Sequence, residues 1–159
     1  MKDYTDNKGI TIITLIVTVI LIAIISSVAV YNATSLINDS KKVAFISELN
    51  IIQGKLNIIY EKIEVGQDIE NYKNEGKKIE LLDDNLKSKI DKVNQEIYIY
   101  DLQNYLYFDN YSLENIGVYG LNGDYLINFK IADVININGI KIEGELYYRA
   151  EEMNVYNKL

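Results

Sequence analysis

The sequence predicts an α+β protein in which one long N-terminal helix is followed by a C-terminal antiparallel β-sheet. Three features carry that expectation. No charged residue lies between Lys8 and Asp39; apolar residues from Phe45 to Ile63 recur every three or four positions; and the last third strings together short β-branched and aromatic runs punctuated by glycine dipeptides. The first pattern suits a helix in an apolar medium, the second a helix with one buried face, and the third a set of paired strands.

Residues 10–31 form the apolar half of the predicted helix. Ile10 to Val30 is almost entirely Ile, Val, Leu and Ala with a few Ser and Thr, and about twenty such residues at 1.5 Å each span a hydrocarbon core of about 30 Å. Residues 32–65 form an amphipathic second half. Phe45, Leu49, Ile52, Leu56, Ile59 and Ile63 fall on one helical stripe expected to pack on the sheet. Asn38-Asp39-Ser40 could cap a separate helix. However, the chain has no proline and Gly54 is the first glycine after Gly9, and one helical glycine costs only about 1 kcal/mol. One helix from Ile10 to about Ile63, ending before Gly66, is the simplest reading.

Residues 66–159 are expected to form the α+β head. Asp68 to Gly76 is polar and reads as a loop, and Ile79, Leu82, Leu86 and Ile90, with Leu81 and Val93 beside them, are spaced for a short second helix with a charged, solvated face. Asp83-Asp84-Asn85 lacks the alternating ligands and central glycine of a calcium loop, so no metal site is expected there. Predicted strands cover Glu96 to Tyr100, Ile116 to Tyr119, Tyr125 to Ile131, Val134 to Ile137 and Ile140 to Tyr148. Asn138-Gly139 is a strong hairpin signal between Val134-Ile137 and Ile140-Ile142, and Glu151 to Leu159 reads as a loose tail. Of the fourteen tyrosines, Tyr98, Tyr100, Tyr105, Tyr107, Tyr147 and Tyr148 are expected on the sheet and its rim with hydroxyls in water, because strand tyrosines are commonly half-buried cross-strand partners.

Composition removes several chemistries. The 159 residues carry a net charge of -7 and include no Cys, His, Trp or Pro, which excludes disulfides, thiol catalysis and histidine-based catalysis or metal ligation within this chain. Ser88 between Lys87 and Lys89 lies on the solvated helix, the glycines are scattered through turns, and no carboxylate pair has a spacing that suggests a site. No enzyme and no cofactor are expected. Direct nucleic-acid binding is not expected either, since phosphate neutralisation needs clustered cations and Arg149 is the only arginine.

Three readings compete for the N-terminus. A secretory signal peptide needs a shorter apolar run and a small-x-small cleavage site, for which only Ser27-Val28-Ala29 offers a weak candidate. An uncleaved anchor explains the hydrophobicity but not the Lys8-Gly9 boundary. The third reading accounts for both halves: Lys8-Gly9, Ile10 and Thr11, ahead of the uncharged run, resemble the cleavage junction of the type IV pilin and pseudopilin family. The resemblance covers Met1 to about Val30. It implies a leader at residues 1–9 removed by prepilin peptidase after Gly9, an N-methylated Ile10, and assembly through Ile10, Thr14 and Leu15. The family usually carries glutamate where this chain has Thr14, and a threonine supplies a hydroxyl rather than a negative charge. Within the family reading, the terminal amine of a neighbour stays near water or headgroups, or Thr14 and backbone carbonyls solvate it, or the subunit sits at a filament tip; alternatively Thr14 simply bonds back to the carbonyl four residues earlier. The abundance of Ile, Asn, Lys and Tyr matches AT-rich coding and, together with Thr14 and the lack of cysteine, suggests a low-GC Gram-positive source.

Geometry bears on the same question. A helix from Ile10 to Ile63 is roughly 80 Å long, whereas about 95 remaining residues make a domain with a radius of gyration near 13 Å. The head is expected to cover only the second half, leaving the first half to lipid or to equivalent helices. The expected function is a structural subunit of a type IV pilus-like filament. Such a subunit is held in the cytoplasmic membrane by a single pass with the C-terminal domain outside, then assembled with copies of itself and other pilin-like subunits by a platform protein at the cell surface. The alternative is a single-pass membrane-anchored binding protein or receptor that never assembles.

Overall fold

The computed structural model describes residues 6–154, with side chains from 12 to 153. The chain divides into two compact units, residues 1–40 and residues 41–159. Helix α1 (Asp6–Glu64) contributes to both. In the first unit it runs without interruption, Tyr31-Asn32 included, and its large apolar side chains from Ile12 to Val30 are exposed.

The second unit holds the core. Phe45, Leu49, Ile52, Leu56 and Ile59 of α1 are buried, and Ile63 packs at the edge of their cluster, so the stripe read from the 3.6-residue period is the face that packs. Past α1 come a one-turn helix α2 (Glu70–Lys73), strand β1 (Lys77–Lys78) and a 3-10 turn at Ile79–Leu81. The segment expected to be a loop therefore contains a helical turn. The second helix, α3 (Asp84–Ile97), begins later than the expected Ile79, because Asp83 accepts hydrogen bonds from the Asn85 and Leu86 amides at 3.0 Å each and caps it. The Asp83 that stood out in the sequence is thus a helix cap.

Beyond a 3-10 turn at Leu102–Asn104 come β2 (Leu106–Phe108), α4 (Asn110–Asn115), β3 (Tyr125–Asn128) and β4 (Asp133–Asn136). The four strands form one antiparallel sheet in the order β1-β2-β3-β4. Tyr107 lies opposite Leu126, and Leu126 opposite Ile135. Alternation along the strands sends Phe108, Tyr125, Ile127 and Val134 toward α1. Tyr107, Leu126 and Ile135 go to a second cluster with Ile90 and Val93 of α3. The sheet is covered on both faces, with α1 on one side and α3 on the other.

Two predicted strands are absent. Glu96 to Tyr100 is the end of α3 and a turn: burial of Ile90 and Val93 holds the helix as far as Ile97, and Asn94 accepts the amide of Ile99 at 2.7 Å in place of a strand neighbour. Tyr98 and Tyr100 are consequently exposed rather than on the sheet. Ile116 to Tyr119 follows α4, which Asp109 caps. Gly117 and Gly120 at φ +85° and +77° break any extended run, leaving Ile116 and Val118 as buried plugs.

The turn at Asn138-Gly139 is real, but it is not a hairpin. β4 pairs with β3, while β5 (Ile140–Ile142) pairs with β6 (Glu145–Tyr147) in a separate two-stranded sheet. Gly139 adopts φ +60°, and the buried Asn136 side chain accepts the amides of Asn138 and Gly139, which turns the chain out of the first sheet. The hairpin turns lie elsewhere: a four-residue loop between β3 and β4 that ends at Ala132 (φ 50°), and a two-residue loop between β5 and β6 at Glu143-Gly144, where both residues have the positive φ that such tight hairpins favour. The expected tail begins as helix α5 (Ala150–Asn154), whose Met153 is buried in the core; the residues beyond it lie outside the described ones.

Candidate membrane and assembly segment

From Ile12 to Val30 the first unit is helix whose surface is apolar on every side. A helix packed on the surface of a soluble core presents one apolar stripe, and one that is apolar all round needs an apolar environment on all sides, either a protein core or lipid. Thirteen large apolar residues between Ile12 and Val30 are exposed, far beyond the apolar patch of a few hundred Å² that a monomeric soluble protein ordinarily shows. The helix is long and apolar enough to cross a membrane.

The polar atoms in this segment suit such an environment. Thr18 donates to the Leu15 carbonyl at 2.8 Å, Ser27 to Ile24 at 2.7 Å, Thr34 to Val30 at 2.9 Å and Ser40 to Leu36 at 2.8 Å. Each hydroxyl is satisfied within its own helix, so it does not bring an unpaired donor into an apolar medium. Thr14 also has a polar interaction. Leu15 is exposed and its carbonyl receives the Thr18 hydroxyl. Lys8, Gly9, Ile10 and Thr11 belong to the helical backbone of α1, and their side chains lie outside the described ones.

In the second unit α1 is anchored by more than its apolar stripe. Glu48 accepts a hydrogen bond from the Tyr125 hydroxyl, and burial pushes the Glu48 carboxyl above its ordinary range. Gln53 donates to the Ala132 carbonyl, tying α1 to the β3-β4 turn. Lys62 donates to the Tyr72 hydroxyl at 2.6 Å with its ammonium 4.9 Å from the ring centroid.

Sequence reasoning missed a recurring device: buried tyrosine hydroxyls paired with carboxylates rather than with water. Tyr105 donates to Asp133 at 2.5 Å, Tyr107 to Asp124 at 2.6 Å and Tyr148 to Glu96 at 2.8 Å. Burial first, then the carboxylate partner, pushes all three phenols up, Tyr148 to about 12. No local pattern marks these pairs, whose members are 17 to 52 residues apart. The sequence reading also passed over the cap at Asp109, whose carboxylate accepts the Ser112 amide three residues on at 2.9 Å.

No protein-family model, curated protein or solved structure matches this chain.

Proposed function

We propose that the protein is a structural subunit of a type IV pilus-like filament, held in the membrane by the apolar half of α1, released from its leader after Gly9 and assembled through that same half. The observation that carries this reading is the division of labour along α1. Its second half is committed to the head, with Phe45 to Ile59 buried. Its first half is apolar all round, uncharged and internally hydrogen-bonded, properties that serve equally well in lipid and among equivalent helices. An anchor needs only the former, and the Lys8-Gly9 junction has no purpose in it.

Thr14 fits the filament reading in one way. Without a carboxylate at that position, an incoming subunit's terminal amine is solvated by hydroxyl and carbonyl oxygens or remains near headgroups, because an unpaired charge among apolar helices is costly. Intact-mass and N-terminal analysis of the surface fraction from the native host tests the proposal. The expected product starts at a methylated Ile10, and Gly9→Val abolishes both processing and surface display. A surface form that keeps the full-length mass, or unchanged display of Gly9→Val, rejects it in favour of a single-pass binding protein.

A further inference from the structure

A cleft of about 770 Å³ opens on the second unit beside the β3-β4 turn, a size that accommodates a compact organic ligand, since ligand pockets run to about 300–1,000 Å³. Its aromatic surface comes from Tyr98 and Tyr100, which are 76% and 74% exposed, together with Tyr60 and Tyr105. The loop that presents Tyr98 and Tyr100 is held, not loose. Ile99 between them is buried, and Tyr98 and Asp101 adopt φ 45° and 53°, a left-handed backbone that costs a bulky residue energy and persists only where the surroundings enforce it.

The polar lining is also fixed. Gln53 donates to the Ala132 carbonyl and, at 3.1 Å, to Asn57, which sets both amides at the cleft edge. Asp133 receives the Tyr105 hydroxyl at 2.5 Å and Arg149 Nη2 at 2.8 Å on the same oxygen. The buried Arg149 Nε has no hydrogen-bond partner among the described residues. Lys130 and Arg149 are balanced by Asp133 and Glu151 in the lining, so the cleft carries no formal excess charge.

We infer that this cleft binds a neutral oligosaccharide, with sugar rings stacked on Tyr98 and Tyr100 and their hydroxyls met by the amides and the Asp133-Arg149 pair. The charge balance disfavours a phosphate-bearing or other anionic ligand, which needs an excess of cations. The shortage of aliphatic lining disfavours an apolar peptide, whose anchors need hydrophobic pockets. A sugar combines an apolar C–H face with hydroxyls that both donate and accept, and exposed phenol rings beside side-chain amides and a carboxylate-guanidinium pair meet both needs. The inference is independent of filament assembly, because every lining residue belongs to the second unit.

The test is calorimetric titration of the full chain with cellotetraose, maltotetraose and chitotetraose. A polyoxyethylene detergent is used so that no sugar headgroup competes. At least one probe is expected to bind with an affinity that is the same at low and high salt, as befits an uncharged ligand. Tyr98→Ala and Tyr100→Ala should each weaken it about tenfold or more, which is about 1.4 kcal/mol, while Tyr119→Ala, at an exposed tyrosine outside the cleft, leaves it unchanged. Tyr100→Ala carries no positive-φ constraint and keeps the test sound if Tyr98→Ala disturbs the loop. The proposal is overturned if no probe binds at millimolar concentration, or if both cleft variants bind like the parent. It is equally overturned if a single-stranded oligonucleotide or heparin binds instead with steep salt dependence.

Discussion

The Tyr148 hydroxyl donates to Glu96 Oε2 at 2.8 Å, joining the residue after β6 to the last turn of α3. Tyr148 is itself buried, and its backbone carbonyl accepts the Asn136 amide at the end of β4. One residue thus fastens the small sheet, the large sheet and a helix, and its phenol is buried against carboxylates.

That arrangement sets an alkaline limit on the fold. Burial first, then the Glu96 hydrogen bond and the charges of Glu96 and Glu152, raises Tyr148 from 10.0 to about 12. A raised folded-state pKa contributes stability that is fully present below the unfolded value and is lost as pH rises through the folded one. Resistance to denaturant is therefore expected to fall as pH is taken from about 10 to about 12, with Tyr105 and Tyr107 adding to the loss in the same direction. Tyr148→Phe should flatten part of that fall. At neutral pH it should cost about 1 kcal/mol for the lost hydrogen bond. Denaturation midpoints followed by far-ultraviolet circular dichroism at neutral and at alkaline pH read both effects.

The two faces of α1 in the second unit should respond unequally to truncation. Ile52 is fully buried against the sheet, so Ile52→Ala is expected to cost about 2–5 kcal/mol. Ile58 is exposed, and Ile58→Ala should change stability by no more than about 0.5 kcal/mol. Equal losses from chemical denaturation of the two variants would mean that the packed face of α1 is assigned wrongly.

Glycine substitutions should differ in sign. Gly54 lies within α1 with no other atom near the position of a Cβ, so Gly54→Ala is expected to stabilise by up to about 1 kcal/mol through helix propensity. Gly139 sits at φ +60°, where a Cβ would lie 2.9 Å from the Tyr148 ring and 3.0 Å from the Tyr147 carbonyl. Gly139→Ala should destabilise by at least about 1 kcal/mol. Thermal unfolding of the two variants side by side gives the comparison.

On the proposed membrane reading, a charge placed in the apolar half of α1 should weaken its insertion. Ile20 is near the middle of the uncharged run, where a lysine costs about 2.5–3.5 kcal/mol on insertion. Ile20→Lys is expected to lower the fraction of the chain retained in the pellet on alkaline extraction, while Ser27→Ala, which removes a hydroxyl already bonded to its own helix, leaves that fraction unchanged.

The sequence alone determined α1. Its uncharged run, and the stripe from Phe45 to Ile63, are local periodicities that each turn of helix reproduces by itself, and both stand in the structure. Strand identity was decided by tertiary structure. Tyr125-Leu126-Ile127 is buried on both faces, because α1 covers one side of the sheet and α3 the other, and such a run has no alternation to distinguish it from Ile97-Tyr98-Ile99, which is a helix end and a turn. What separates these two segments is partners distant in sequence: β2 and β4 pair with the first, while in the second Asn94 receives the amides of Tyr98 and Ile99. The Tyr98-Tyr100 cleft and the tyrosine-carboxylate pairs depend on the same long-range assembly, since residues dozens of positions apart become neighbours only once the sheet has chosen its strands.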